Sequence, residues 1–399
     1  MIALFRVGSF IPVPGVDVER IQEIIAQNAT LGLLGLFSGG ALEQFAVFSL
    51  GIMPYITASI IMQLLQGVIP TVERWSKEGE MGRRKITQTT RYLTLVIGLL
   101  NALGLLTLFR SQGALSAGGP GIPPAWFTNT VIIVTLVAGT AFIMWLGELV
   151  TQRGIGNGMS LMIFASIVAQ FPAAIVNSIR FQDWAFTIGI IFVVLFIIAA
   201  IVTMERAQRR IPVQYAKRVV GRRVYGGTGT YIPLKINGAN VVPIIFASAI
   251  LFFPTQISYF FPNIQWVQTA SSALSQGPVH WGAQFLLIVF FTYFYTALVF
   301  NPIDLSDNLR KNGGFIPGVR PGATTVRYME NVLNRITLPG ALFLGVIAVV
   351  PTALLGGTGN QLVQQFGGAS ILIMVGVALE TMTQIESQLK MRHYEGFFK

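Results

Sequence analysis

Few residues in this chain could do covalent chemistry. It has no cysteine and two histidines. His280 and His393 stand in a loop and in the tail, which argues against a histidine metal site, and the lack of cysteine excludes disulfides and thiolate chemistry. The carboxylates bordering the apolar runs, Glu148, Glu380 and Glu386, sit at the ends of those runs. Proton or sodium coupling calls for charge at mid-membrane, and cleavage inside a membrane calls for a Ser/His, Asp/Asp or metal set; neither pattern occurs. A Gly-x-x-x-x-Gly-Lys-Ser/Thr phosphate loop is also missing. What the spacing does offer is apolar. Ile52 and Ile56 flank Pro54, four residues apart and so on one helix face. Met159 and Ile163 repeat that spacing just after Gly154-Ile155-Gly156-Asn157-Gly158. Ile245 follows Pro243, and Ile373 follows Gly367-Gly368. Such side chains can gate a pore by dewetting a constriction. For any one of them taken alone, lipid contact or packing is the commoner reason.

The elements that would carry these residues are membrane helices. Of 399 residues 53% are hydrophobic and 11% charged, against roughly 25% charged in a soluble domain. Apolar runs of the length that crosses a core of about 30 Å recur along the chain. They predict one partial span at 1–11 and nine full ones near 48–65, 93–109, 131–150, 159–176, 186–204, 241–261, 285–300, 338–355 and 369–382. The stretch 36–66 is peculiar. It is interrupted by Ser38-Gly39-Gly40, carries Pro54 within its apolar half, and predicts a short separate helix over 42–48. Irregular backbone at membrane depth must line protein or a wet cavity. No basic n-region or small-residue cleavage site marks 1–11 as a cleavable signal peptide.

Charge orients the spans. All but four of the 27 Lys and Arg (Arg6, Arg20, Arg110 and Arg180 are the exceptions) fall in the even-numbered loops and the tail, which places these and the C-terminus in the cytoplasm. Three of the loops, 68–91, 205–240 and 302–336, are far longer than topology requires, and long ordered loops usually have a function. Setting topology is the plain reading of their charge; docking a phosphate- or carboxylate-bearing partner is the sharper one. Gly318-Val319-Arg320-Pro321-Gly322 would hold Arg320 at a turn tip.

Several long motifs, in order, carry a resemblance: RVGSFIPVPG at 6–15, FSGGAL at 37–42 running into LGIMPYI at 50–56, KEGE at 77–80 with GRRK at 82–85, and MWLGE at 144–148 through RGIGNG at 153–158. Later come Glu205-Arg206 through YAKR at 215–218, TALVFNP at 296–302 and FIPGVRPG at 315–322. Over essentially its whole length the chain resembles the SecY family, the central subunits of bacterial-type Sec protein-conducting channels.

The resemblance implies an all-α polytopic membrane protein: ten transmembrane helices in two inverted five-helix halves around an hourglass pore with a plug helix. The halves would be 1–176 and 185–399, hinged at 177–184, with a lateral gate between spans two/three and seven/eight. It implies a pore ring of Ile52, Ile56, Met159, Ile163, Ile245 and Ile373, with Met at 159 where a branched aliphatic residue is common. The plug would cover about 33–45 and centre on Phe37, Ser38, Gly39, Gly40, Ala41 and Leu42. Loops 205–240 and 302–336 would dock a motor or ribosome through Arg209, Arg210, Lys217, Arg218, Arg222, Arg223 and Arg320. The implied partners are the SecE and SecG small subunits, the SecA motor ATPase, the ribosome with its RNA, signal sequences and nascent polypeptides, and the lipid bilayer. No cofactor or catalytic residue is implied. The implied location is the inner (plasma) membrane, with a plastid or thylakoid membrane as the alternative. The chain departs from the family pattern by opening partway through its first span. A solute carrier with inverted repeats and a membrane enzyme stay open as alternatives from other classes.

Overall fold

The computed structural model describes residues 1–27, 31, 35, 37–115, 124–181, 184–215, 218–220, 223–225, 230–261, 264–275, 277–355 and 367–395. In hydrocarbon a helix satisfies its own backbone polar groups, and the apolar runs fold accordingly. Helices α1 (Ile2–Gly8) and α2 (Val18–Gln27) precede α3 (Met53–Val68), after which the chain bends by 100° into α4 (Pro70–Lys77). Next come α5 (Glu80–Ser111), α6 (Ala125–Arg153), α7 (Gly158–Val168), α8 (Phe171–Phe181) and α9 (Trp184–Arg206). Strands β1 (Gln208–Tyr215), β2 (Arg218–Val220), β3 (Arg223–Tyr225) and β4 (Thr230–Lys235) separate these from α10 (Val242–Phe260), α11 (Gln265–Ser275), α12 (Pro278–Val299) and α13 (Pro302–Lys311). The chain continues through β5 (Gly314–Phe315), α14 (Ala323–Leu355) and α15 (Gly368–Glu395).

Seven helices among the described residues are long and apolar enough to cross a membrane, and the bent pair α3–α4 makes an eighth. Within α10, Val242–Ser258 is apolar but shorter, and α1 has only seven residues. Helices therefore stand at all ten expected places in a multi-pass membrane protein.

Three expected loops are largely structured. Residues 68–91 form α4 and the first turns of α5, which packs closely enough on α4 that a Cβ at Gly82 would lie 1.8 Å from the Trp75 carbonyl oxygen. Much of 302–336 is α13 and the start of α14. Residues 177–181 of the expected hinge continue α8, while 182 and 183 lie outside the described residues. Hydropathy marks only where a helix is apolar: α5, α8 and α14 extend through polar sequence as well, while Pro70 and Pro302 open the separate helices α4 and α13.

The expected docking loops fold together. β1 is central in a three-stranded antiparallel sheet of order β4-β1-β5, so the loop before α10 and the loop after α13 share one ladder, with Gln214 opposite Phe315 and Tyr215 opposite Gly314. Alternation along β1 turns Ile211 and Val213 inward. There they meet Leu234, Leu309, Ile316 and Met329 in an apolar core of their own. β2 and β3 form a separate two-stranded hairpin, with Val220 opposite Arg223.

The main core is one continuous apolar cluster contributed by α1 to α3, α5 to α7, α9, α10, α12, α14 and α15. The N-terminal and C-terminal groups of helices meet where α10 packs on α3 and α5, and where α15 packs on α7.

Candidate pore and plug

The six isoleucine and methionine positions of the expected ring all lie in that core, none more than 9% exposed. Their places in the secondary structure share a pattern. Ile52 is the N-cap of α3 and Ile56 lies one turn on; Met159 and Ile163 lie in the first two turns of α7; Ile245 is in the first turn of α10 and Ile373 in the second turn of α15. Four helices thus begin at the core of the protein, each presenting a branched or flexible apolar side chain close to its start.

Local sequence explains the starts. Pro54 sits in the first turn of α3, where its missing N–H costs nothing and its φ is already helical; it opens this helix and does not interrupt it. Asn157 caps α7 by accepting from the amides of Met159 and Ser160 at 3.0 and 3.5 Å. Gly147 of α6 leaves a notch filled by Met159, whose sulfur would lie 2.3 Å from a Cβ at 147. The thioether of Met159 therefore leans on α6.

Of the expected plug residues Phe37, Ser38, Gly39, Gly40, Ala41 and Leu42, all but Gly40 are buried, and Phe37, Ala41 and Leu42 share the apolar core of the expected ring. Leu33, Leu34 and Leu36 lie outside the described residues. The expected helix over 42–48 is absent, and a set of turns takes its place. The reason is that this backbone is already paired elsewhere. Val13 donates to the Phe45 carbonyl at 3.0 Å and Val47 donates to the Ile11 carbonyl at 2.9 Å, an antiparallel bridge between Pro12 and Ala46. Phe45 takes φ +42° to make that connection, and Gly39, Gly40 and Gly51 stand at φ +68°, +82° and +56°. Aromatic contacts wedge the returning strand. The Phe45 ring meets Phe109 edge-on at 5.2 Å, and Phe48 stacks between Phe5 and Phe142 at 5.9 and 6.0 Å.

Two polar features at the helix junctions have no counterpart among the residues expected from sequence. Gln256 of α10 donates its amide to the Asn101 side chain of α5, across the seam where the two helical groups meet. Around this pair Ser49, Leu50, Leu105, Phe252 and Phe260 line a cleft. An amide in an apolar run needs a partner, and pairs like this contribute about 0.6–2 kcal/mol in membranes; Asn101 and Gln256, each lone in its run, were the available signal. Arg91 of α5 forms a two-pronged ion pair with Glu148 of α6, so Glu148 ties these two helices together.

Of the expected docking residues, Arg209, Arg210 and Arg320 are exposed on the protruding sheet unit. Arg210 lies over the Tyr231 ring at 4.8 Å. Arg218 and Arg223 occupy hairpin positions in β2 and β3, while Lys217 and Arg222 lie outside the described residues.

A family model described as SecY matches residues 46–382. The chain belongs to the SecY family. The protein translocase subunit SecY of Streptomyces coelicolor is 51% identical over 417 residues, covering 100% of this chain and 95% of that protein. The fold is shared with a solved structure described as the plug domain of the SecY protein, which stabilises the closed state of the translocation channel and maintains a membrane seal. It matches with a TM-score of 0.66 at 19% identity, over 97% of this chain and 90% of that one. Sec61 in a canine ribosome–channel complex matches with a TM-score of 0.60 at 18% identity and the same coverage.

Proposed function

We infer that this SecY-family chain is the pore-forming subunit of a translocon, passively conducting unfolded polypeptides across the membrane and releasing apolar segments sideways into lipid. The observation that carries this reading is the set of six buried apolar residues at four helix starts, sharing one core with the turns of 37–50. A conduit for arbitrary sequence must hold no strong binding groups, and a collar of deformable apolar side chains meets that need while excluding water and ions at rest. Residues 1–176 and 185–399 act as the two halves, hinged near 177–184. The seam of α3 and α5 against α10, latched by Asn101 and Gln256, acts as the lateral gate. Release through it is driven by burial of apolar surface in lipid, about 0.8 kcal/mol per CH₂.

The energy for pushing comes from outside, because the sequence holds no phosphate loop. The sheet unit bearing Arg209, Arg210 and Arg320 is the docking surface for the SecA motor or the ribosome, and SecE and SecG are the accompanying small subunits. That unit and the C-terminus face the cytoplasm at the inner membrane, an orientation that the charge of the even-numbered loops supports. Reconstitution of the chain with its small subunits in liposomes tests the reading. Motor- and ATP-dependent protection of a secretory precursor from added protease is expected. Uptake of small solutes without precursor protection would establish the solute-carrier alternative instead.

A further inference from the structure

Gln170, at the junction of α7 and α8, is a polar side chain buried in the membrane-embedded part of the protein, only 8% exposed. Its amide Nε2 donates to the Gly35 carbonyl at 2.9 Å, a partner 135 residues away. That carbonyl is also the pivot of the plug's turn, accepting from the Gly40 amide at 2.9 Å and the Ser38 hydroxyl at 3.1 Å. One helical turn before Gln170, Ser166 meets the other end of the same turn: a Cβ on Gly39 would lie 3.3 Å from the Ser166 Cα and 3.4 Å from its Cβ. The pairings 166 with 39 and 170 with 35 lay this neck antiparallel along the wall helix. Arg6 of α1 also grips it, donating Nη1 to the Gly39 carbonyl at 2.6 Å while its guanidinium lies 4.5 Å from the Phe10 ring centroid.

We propose that Gln170 is a positioning residue that latches the plug neck to the channel wall and thereby sets how strong a signal sequence must be to open the channel. The inference rests on the reading of 37–42 as a plug. Apolar packing is non-directional and tolerates a shifted neck, whereas a buried hydrogen bond holds one register. Once the neck lifts and the pore is wet, water replaces the lost partner, so the latch weights the closed state without trapping it. An opening segment with a long apolar core overcomes this readily; one with a shortened core does not.

The test uses the assembled channel and two precursors, one with an intact signal sequence and one with a shortened apolar core. Gln170→Leu, with the near-isosteric Gln170→Met as the second variant, is expected to raise translocation of the weak precursor roughly five- to tenfold, the effect of about one lost hydrogen bond. The intact precursor should change by less than about twofold. A second readout tracks the neck itself. Ser166, 2% exposed beneath Gly39, is replaced by cysteine as the sole thiol of the chain, and its labelling by a thiol reagent in the idle channel, which follows the small open population, should quicken by a similar factor when Gln170→Leu is added. Unchanged handling of the weak precursor, a parallel loss for both precursors, or equal labelling rates at Ser166→Cys with and without Gln170→Leu would overturn the latch. A wild-type channel that protects neither precursor would instead refute the conduit reading beneath it.

Discussion

Asparagine at Ile56 or Ile163 is expected to make the idle channel leak, raising its ion conductance in planar bilayers roughly thirtyfold, the effect of about 2 kcal/mol taken from the closed state. Both side chains are buried in the same apolar core as the plug. An amide placed there has no designed partner, and burying it dry costs more than hydrating it, so water accompanies the amide into the constriction. The same argument applies to Ile52, which caps α3 directly beside the plug's return. Glycine at these sites should act in the same direction by leaving space in place of polarity. Conductance equal to wild type in all three asparagine variants would remove these residues from the seal.

Arg320→Glu is expected to slow motor-driven translocation roughly tenfold or more while the amount of assembled channel stays unchanged. Hydrogen bonds to charged groups contribute about 1.5–3 kcal/mol, and reversal adds repulsion. Arg320 is suited to this test because its backbone is fixed and its head group is free to act. The preceding Ile316 is buried in the core of the sheet unit, Gly318 and Gly322 turn the chain at φ +81° and +107°, and the Thr325 hydroxyl donates to the Arg320 carbonyl at 3.0 Å. The side chain is exposed and forms no ion pair among the described residues. Folding therefore has little stake in the charge. Normal translocation rates in a purified motor assay would exclude Arg320 from docking.

The sequence made the spans legible because twenty apolar residues in a row have few other uses, and it showed where such a run breaks, at Gly39 and Gly40. Beyond that break, local pattern is a poor guide. Whether 42–48 coils or turns depends on whether 11–13 supplies a strand for Phe45 and Val47 to pair with, and that partner is some thirty residues distant. Pro54 reads as an interruption because a proline within an apolar run and a proline at a helix start look alike until the helix start is known. The basic loops showed their charge but not their architecture: β1 has its apolar residues at 211 and 213, yet only β5, about a hundred residues later, makes it central in a sheet. Asn101 and Gln256 were visible as lone amides, but a pairing across two helices that meet only in the folded protein has no local signature.

The central claim, that polypeptide passes through the ring at Ile52, Ile56, Met159, Ile163, Ile245 and Ile373, is open to one direct measurement. The chain has no native cysteine, so a single cysteine at position 52 reports alone. A precursor stalled partway, carrying a thiol-reactive crosslinker, should form an adduct with that cysteine, while a cysteine at the outward-facing Phe196, 75% exposed, should form none. Adduct at 196 with none at 52 would place the polypeptide outside the ring and contradict the account.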